Sequence, residues 1–261
     1  MATTAVKLNK RKHKCFIACA PGLERLLAIE LKKVCGVDCR LKRAGIDCAL
    51  TQEEIYRFCL WSRIANRVLY PLVSFEIDSE KSYYNALKEQ DWSRHVSEHG
   101  TLAVDFFSAS SCITHSRYGA QLTKDAVVDW FRERYNERPS VNRDTPDIRI
   151  NVYLFKNRAR VNLDMSGQSL HRRNYRTQGG SAPLKETLAA AILLSSHWEP
   201  TREALFDPMC GSATLLIEGA MIAANIAPGL QSDATGELVA VARETGCHVH
   251  IEHLNSTGGT G

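Results

Sequence analysis

The 261-residue chain has no apolar run near the ~18 residues that a membrane-spanning helix needs, and candidates such as 188–194 are too short. A secretory segment is not expected either. The basic stretch 7–14 is followed by an apolar stretch, 15–20, that is shorter than the usual roughly 7–15 residues. No tight C-x2-C knuckle occurs, and the nine cysteines are an odd count in a chain well above disulfide-scaffold size. Reduced thiols and a cytoplasmic setting are therefore expected. Positive charge is nearly missing from residues 231–261, where Arg243 stands against Asp233, Glu237, Glu244 and Glu252.

What is present is ordinary globular composition, 44% hydrophobic and 24% charged, enough for one large domain or two to three small ones. Residues 1–230 hold 32 basic and 25 acidic side chains, a net +7. An excess of that size on a folded body favours anionic partners, nucleic acid first. Cys15, Cys19, Cys35 and Cys39 form two C-x3-C pairs. They invite a zinc reading, but the first pair sits in a strand-like run, and buried small side chains are the expectation.

Residues 14–20 read as a strand, broken by Pro21-Gly22. Leu23, Leu26, Leu27, Leu31 and Val34 then recur at helical spacing, and Gly36 stops the helix. Two short strands are predicted to flank Arg43-Ala44-Gly45. A second helix is predicted from Thr51 as N-cap, with Glu53 and Glu54 in its first turn. This β-α-β-β-α start suits a small ferredoxin-like unit. Further on, 102–107 reads as a strand, and Leu122, Ala126, Val127, Trp130, Phe131 and Tyr135 define a helical face. Ile148, Ile150, Val152 and Leu154, then Ala159, Val161, Leu163 and Met165, alternate with polar residues around Lys156-Asn157-Arg158, which predicts a hairpin. A helix opening at Pro183, a strand end at 205–207 and a helix carrying Leu215, Ile217, Met221 and Ile222 follow.

Basic side chains collect in three places. Arg117, Lys124, Arg132, Arg134, Arg138 and Arg143 surround the Trp130 helix. Lys156, Arg158 and Arg160 decorate the hairpin, and His171, Arg172, Arg173 and Arg176 come after it. On a rigid face such groups suit phosphate contacts, which position RNA without reading its sequence. Trp92, Phe106, Phe107, Trp130 and Tyr153 are expected in the core rather than as base-stacking platforms. In Asp207-Pro208-Met209-Cys210-Gly211-Ser212-Ala213-Thr214, a small-residue turn precedes a helix and can bring backbone close to a nucleotide-like ligand.

That octet resembles the D-P-x-x-G-S-G-T loop of S-adenosylmethionine-dependent RNA methyltransferases. The stretch 182–190 resembles the helix entering that fold, and 166–176 resembles the linker of the same family. Residues 116–129 and 144–151 resemble the THUMP RNA-binding domain. With these motifs in order over about 14–230, the chain is similar to the THUMP-domain 23S ribosomal RNA guanine-N2 methyltransferase family. The resemblance implies an α+β fold: a ferredoxin-like unit plus a THUMP domain, followed by the first βα unit of a Rossmann-like methyltransferase fold. The expected division is a basic extension 1–13, ferredoxin-like 14–54, THUMP 55–166, methyltransferase start 167–230 and an unrelated tail 231–261. It also implies S-adenosyl-L-methionine as cofactor, held by Asp207, Pro208, Cys210, Gly211, Ser212 and Lys185. Ribosomal 23S RNA is the implied partner, met by Arg117, Lys124, Arg132, Lys156, Arg158, Arg172, Arg173 and Arg176.

The chain departs from the family in three respects. Ala213 stands where the motif has its second glycine. The family's N-P-P-[FY] loop, which holds the target guanine amine, has no counterpart, and no N-P-P triplet occurs in the chain. Only the first βα unit of the methyltransferase sheet is encoded. The expectation is a catalytically incomplete RNA-binding part with a missing C-terminal methyltransferase portion, and no catalytic or metal-ligating residue is assigned. The alternatives are another THUMP-bearing tRNA-modification protein and a non-catalytic RNA-binding module. The tail, with His248, His250 and His253, resembles a fragment of a metal-dependent amidohydrolase whose remaining ligands are not encoded.

Overall fold

Strand β1 (His13–Ala18) buries Cys15 and Ile17 on one side and pairs antiparallel with β3 (Gly45–Leu50), which in turn pairs with β2 (Arg40–Lys42). This architecture comes from a computed structural model that describes residues 11–173, 175 and 184–231. Helix α1 (Glu24–Cys35) ends at Gly36, whose φ of +70° is left-handed and whose N–H donates to Lys32 O at 2.9 Å. Helix α2 (Gln52–Trp61) starts with a capping box: the Glu54 N–H donates to Thr51 Oγ1 at 3.2 Å, and the Thr51 N–H to the Glu54 carboxylate at 2.7 Å. Both boundaries match the sequence signals. Ile17, Leu27, Leu31, Ile46, Leu50, Ile55 and Phe58 from these elements form one buried core. Of the two C-x3-C pairs, Cys15 and Cys19 are buried in it as expected, beside Cys48 and Cys59, whereas Cys35 and Cys39 are only half-buried at its edge; burial pushes the Cys15 thiol up to about 11 and Cys19 to about 12.

The next two elements had no clear signature. Strand β4 (Arg67–Glu76) contains Pro71, which argues against a central strand, yet it lies mid-sheet. The register shifts between Pro71 and Val73, so the missing N–H falls at a bulge. Helix α3 (Glu80–Lys88) is capped by Ser79 and Ser82. Then come β5 (Thr101–Ala109), α4 (Ser116–Tyr135), the short β6 (Ser140–Val141), and the hairpin of β7 (Ile148–Phe155) and β8 (Arg158–Asp164). Lys156 and Asn157 have φ of +48° and +58°, as a two-residue hairpin turn of the primed type requires.

The eight strands form one sheet in the order β2-β3-β1-β4-β8-β7-β5-β6. β4 pairs with β1 on one side and β8 on the other, which splices the two halves together. In the second half Leu102, Phe106, Ile150, Val152, Leu154, Ala159 and Val161 face Tyr83 and Leu87 of α3 and Val127, Trp130 and Phe131 of α4 in a second core. Beyond the sheet, α5 (Glu186–Ser195) packs on α6 (Thr214–Ala223).

The strand end expected at 205–207 is not formed. A strand needs a neighbour for its N–H and C=O groups, and no strand flanks this segment among the described residues.

Candidate nucleic-acid interface and cofactor loop

On the face of β5, β7 and β8 opposite the second core, side chains stand in cross-strand rows. Register aligns Phe107 with Tyr153, Tyr153 with Arg160, and Arg160 with Ser74; the next row is Ala109, Phe155, Arg158 and Glu76. Phe107, Tyr153 and Phe155 are 53%, 46% and 41% exposed. This corrects the core expectation for Phe107 and Tyr153, whereas Trp92, Phe106 and Trp130 are buried as expected. The reason is strand alternation: Phe106 faces α4, so Phe107 must face away. The Tyr153 and Phe155 rings lie 6.3 Å apart with 24° between their planes, and the Lys156 ammonium sits 5.5 Å from the Phe155 centroid. At the other end of this face Arg67 pairs with Asp164 and, at 3.1 Å, with Asp105.

The predicted RNA contacts do not all converge. Lys156 and Arg158 are exposed at the hairpin tip. The loop leading into α4 is tied to that tip, because Cys112 N–H donates to Asn157 Oδ1 at 2.8 Å and Asn157 N–H to Ser111 Oγ at 3.0 Å. Arg117, exposed in the first turn of α4, therefore starts from the same edge. Lys124 and Arg132 lie further along α4 and already carry ion pairs, with Asp125 at 2.5 Å and Asp129 at 2.9 Å. Arg172 is exposed beyond β8, and Arg176 lies outside the described residues.

Arg173 is a correction: it is buried and not available to RNA. Its Nε lies 3.0 Å from Glu218 Oε1, and its Nη2 donates to Arg63 O at 2.9 Å. Tyr175 donates to the same Glu218 oxygen at 3.1 Å, and Arg63 donates to the carbonyl of Ile226 at 2.7 Å. Glu30 accepts from Ser62 Oγ at 2.6 Å and from Arg63 N–H at 2.7 Å. Burial raises the carboxyls of Glu30 and Glu218 above the usual range, opposed by hydrogen bonds at Glu30 and mainly by Arg173 at Glu218. This cluster locks α6 onto the end of α2. Glu218 carries a signal in the sequence: it is the one charged residue within the largely apolar α6.

In the octet, Asp207 Oδ1 accepts from Met209 N–H at 3.0 Å, and Ala213 N–H donates to Cys210 O at 2.7 Å. Gly211 has φ +51°, and Ala213, at the N-cap of α6, has φ +56°. An alanine in this left-handed position costs about 1 kcal/mol, which explains why a glycine suits it. Ser212 and Thr214 hydroxyls are 3.1 Å apart. The loop thus has the turn and the helix start of a cofactor-binding element. It has no opposing wall among the described residues, since Phe206 is 83% and Met209 90% exposed. Lys185 is exposed just before α5. These residues alone do not enclose a cofactor. The tail histidines lie outside the described residues.

Comparison with known proteins gives three successive matches. Residues 14–69 match the RlmL ferredoxin-like domain, 78–164 the THUMP domain, and 173–255 the RMKL-like methyltransferase domain. The chain is 51% identical over 218 residues to the ribosomal RNA large subunit methyltransferase K/L of Methylococcus capsulatus, covering 82% of this chain and 30% of that protein. To the protein of the same name from Syntrophotalea carbinolica it is 49% identical, covering 82% and 31%. Among solved structures, SMU.472 complexed with SAH is similar at 29% identity and a TM-score of 0.75, covering 90% of this chain and 64% of that one. The chain spans about 30% of the length of these curated relatives. With the three domains in order and this level of identity, the chain belongs to the THUMP-domain ribosomal RNA large subunit methyltransferase K/L family.

Proposed function

We propose that this chain is the RNA-gripping part of an S-adenosylmethionine-dependent 23S ribosomal RNA (guanine-N2)-methyltransferase. The observation that carries the reading is the hairpin edge, where Arg117, Lys156, Arg158 and Arg160 are exposed around a THUMP-matching sheet. A basic edge on a rigid scaffold holds phosphates and sets the orientation of the RNA. The methyl donor follows from the family, whose methyltransferase domain matches here, and from the SAH bound in SMU.472. The octet Asp207 to Thr214, with Asp207, Pro208, Cys210, Gly211, Ser212 and Lys185, is the element proposed to meet it. When bound, the cofactor would supply an activated methyl group. With no N-P-P triplet in the chain, transfer to guanine is assigned to sequence other than this, in a missing C-terminal portion. The division into ferredoxin-like, THUMP and methyltransferase-start segments, and a cytoplasmic setting, belong to the same reading.

The test is binding of this chain to a transcribed 23S RNA fragment over a salt series, beside a methyl-transfer assay with labelled S-adenosylmethionine. Affinity should fall linearly on a log–log plot, and charge removal in Lys156→Ala/Arg158→Ala should make the slope shallower by about 1–2. Absence of binding at low salt would overturn the RNA reading. Turnover by the chain unaided would overturn its catalytic incompleteness.

A further inference from the structure

We propose that the open face of β5, β7 and β8 binds unpaired RNA nucleotides, with Phe107, Tyr153 and Phe155 as stacking surfaces and Lys156, Arg158 and Arg160 as their phosphate partners. The inference deepens the RNA-binding reading, because it names the form of RNA and the surface. What sets the three rings apart is their grouping on one sheet face: Phe58, Tyr83, Trp92 and Phe131 are fully buried, Phe106 and Trp130 nearly so, and the other exposed rings, Tyr118, Tyr135 and Phe206, lie on α4 and in the loop before α6. The exposed rings adjoin one another. Phe107 and Tyr153 are register neighbours on adjacent strands, and Tyr153 and Phe155 are two residues apart on one strand with near-parallel planes.

Charge decides the occupant. Arg160 is the cross-strand neighbour of Tyr153, and Arg158 that of Phe155, while Lys156 stands beside the Phe155 ring. Neither Lys156 nor Arg160 has an ion-pair partner among the described residues. Glu76, opposite Arg158, is the one carboxylate of these two rows. Aromatics and arginine are also common at protein–protein interface centres, but lysine is depleted there, and here three cations face a single carboxylate; rings interleaved with an excess of cations are the usual surface for single strands. A paired base has both faces covered by its stack, so flat rings on a sheet can engage only bases that are unpaired.

The experiment uses the whole chain and three probes: a fluorescein-labelled 12-nucleotide single-stranded RNA, the same sequence as a duplex, and the transcribed 23S fragment. The variants are Tyr153→Leu/Phe155→Leu, which keeps apolar bulk without rings, and Phe107→Leu, each checked by circular dichroism. The double variant should bind the single strand at least tenfold more weakly, with an unchanged salt slope and unchanged duplex binding. Equal losses on single strand and duplex would overturn the proposal, as would no loss on the single strand. Wild-type self-association abolished by the double variant, with single-strand affinity intact, would assign the face to a second copy and overturn it too. Binding to none of the three RNAs would sink the broader RNA reading, while fragment binding untouched by the ring variants would sink the stacking face alone.

Discussion

Arg172 and Arg173 are adjacent in the chain and have opposite fates. Arg172 is exposed, and Arg173 is sealed between Glu218 and the carbonyls of Ser62 and Arg63. Removing one partner of a buried ion pair leaves a charge with neither water nor counter-charge, a larger penalty than the pair's own net worth. Arg173→Ala should therefore destabilise the chain by about 3 kcal/mol, read from urea unfolding, with little change in RNA affinity. Arg172→Ala should do the reverse, leaving stability within about 0.5 kcal/mol of the parent. A basic cluster in a sequence does not show this division, because a run of arginines looks alike whether it faces solvent or a glutamate 45 residues away.

At the scale of elements, local signals located the capped and periodic ones well. Thr51 and Glu54 marked the start of α2, Gly36 the end of α1, and period-two alternation the hairpin. β4 escaped because Pro71 interrupts its pattern, and α3 because it is short and polar. The segment after β8 carries a pH-dependent contact. His171 Nδ1 lies 2.7 Å from Ser169 Oγ, and burial, with Lys185, Arg172 and Arg67 nearby, depresses the imidazole pKa below its ordinary 6.5 despite Glu186. A depressed folded-state pKa adds stability above the unfolded value and loses it as pH falls through the folded one. The melting temperature should accordingly drop between pH 7.5 and 5.5, and His171→Gln should remove part of the drop. His95, also depressed by burial, acts in the same direction, while the raised carboxyls of Glu30 and Glu218 act against both. A melting curve as steep in pH for His171→Gln as for the parent would remove His171 from this account.

For the whole molecule, β4 is decisive. By pairing with β1 and β8 it makes two hydrophobic cores share one sheet, so neither half can lose β4 without exposing edges in the other. The amides of β1 and β7 should then exchange with the same free energy of opening, measured by native-state hydrogen exchange. Two clearly different values would mean that the halves open independently.

The amino-acid sequence by itself determined the order of the units, most helix and hairpin boundaries and the loop that starts α6, because caps, turns and periodicity act over a few residues. Only the tertiary structure decided which side of each strand is covered. Phe106 and Phe107 are the same residue type, yet α4 lies over one and nothing among the described residues lies over the other. Alternation states that two neighbours face opposite ways, but the helix that buries one of them arrives from elsewhere in the chain, and that is settled by packing.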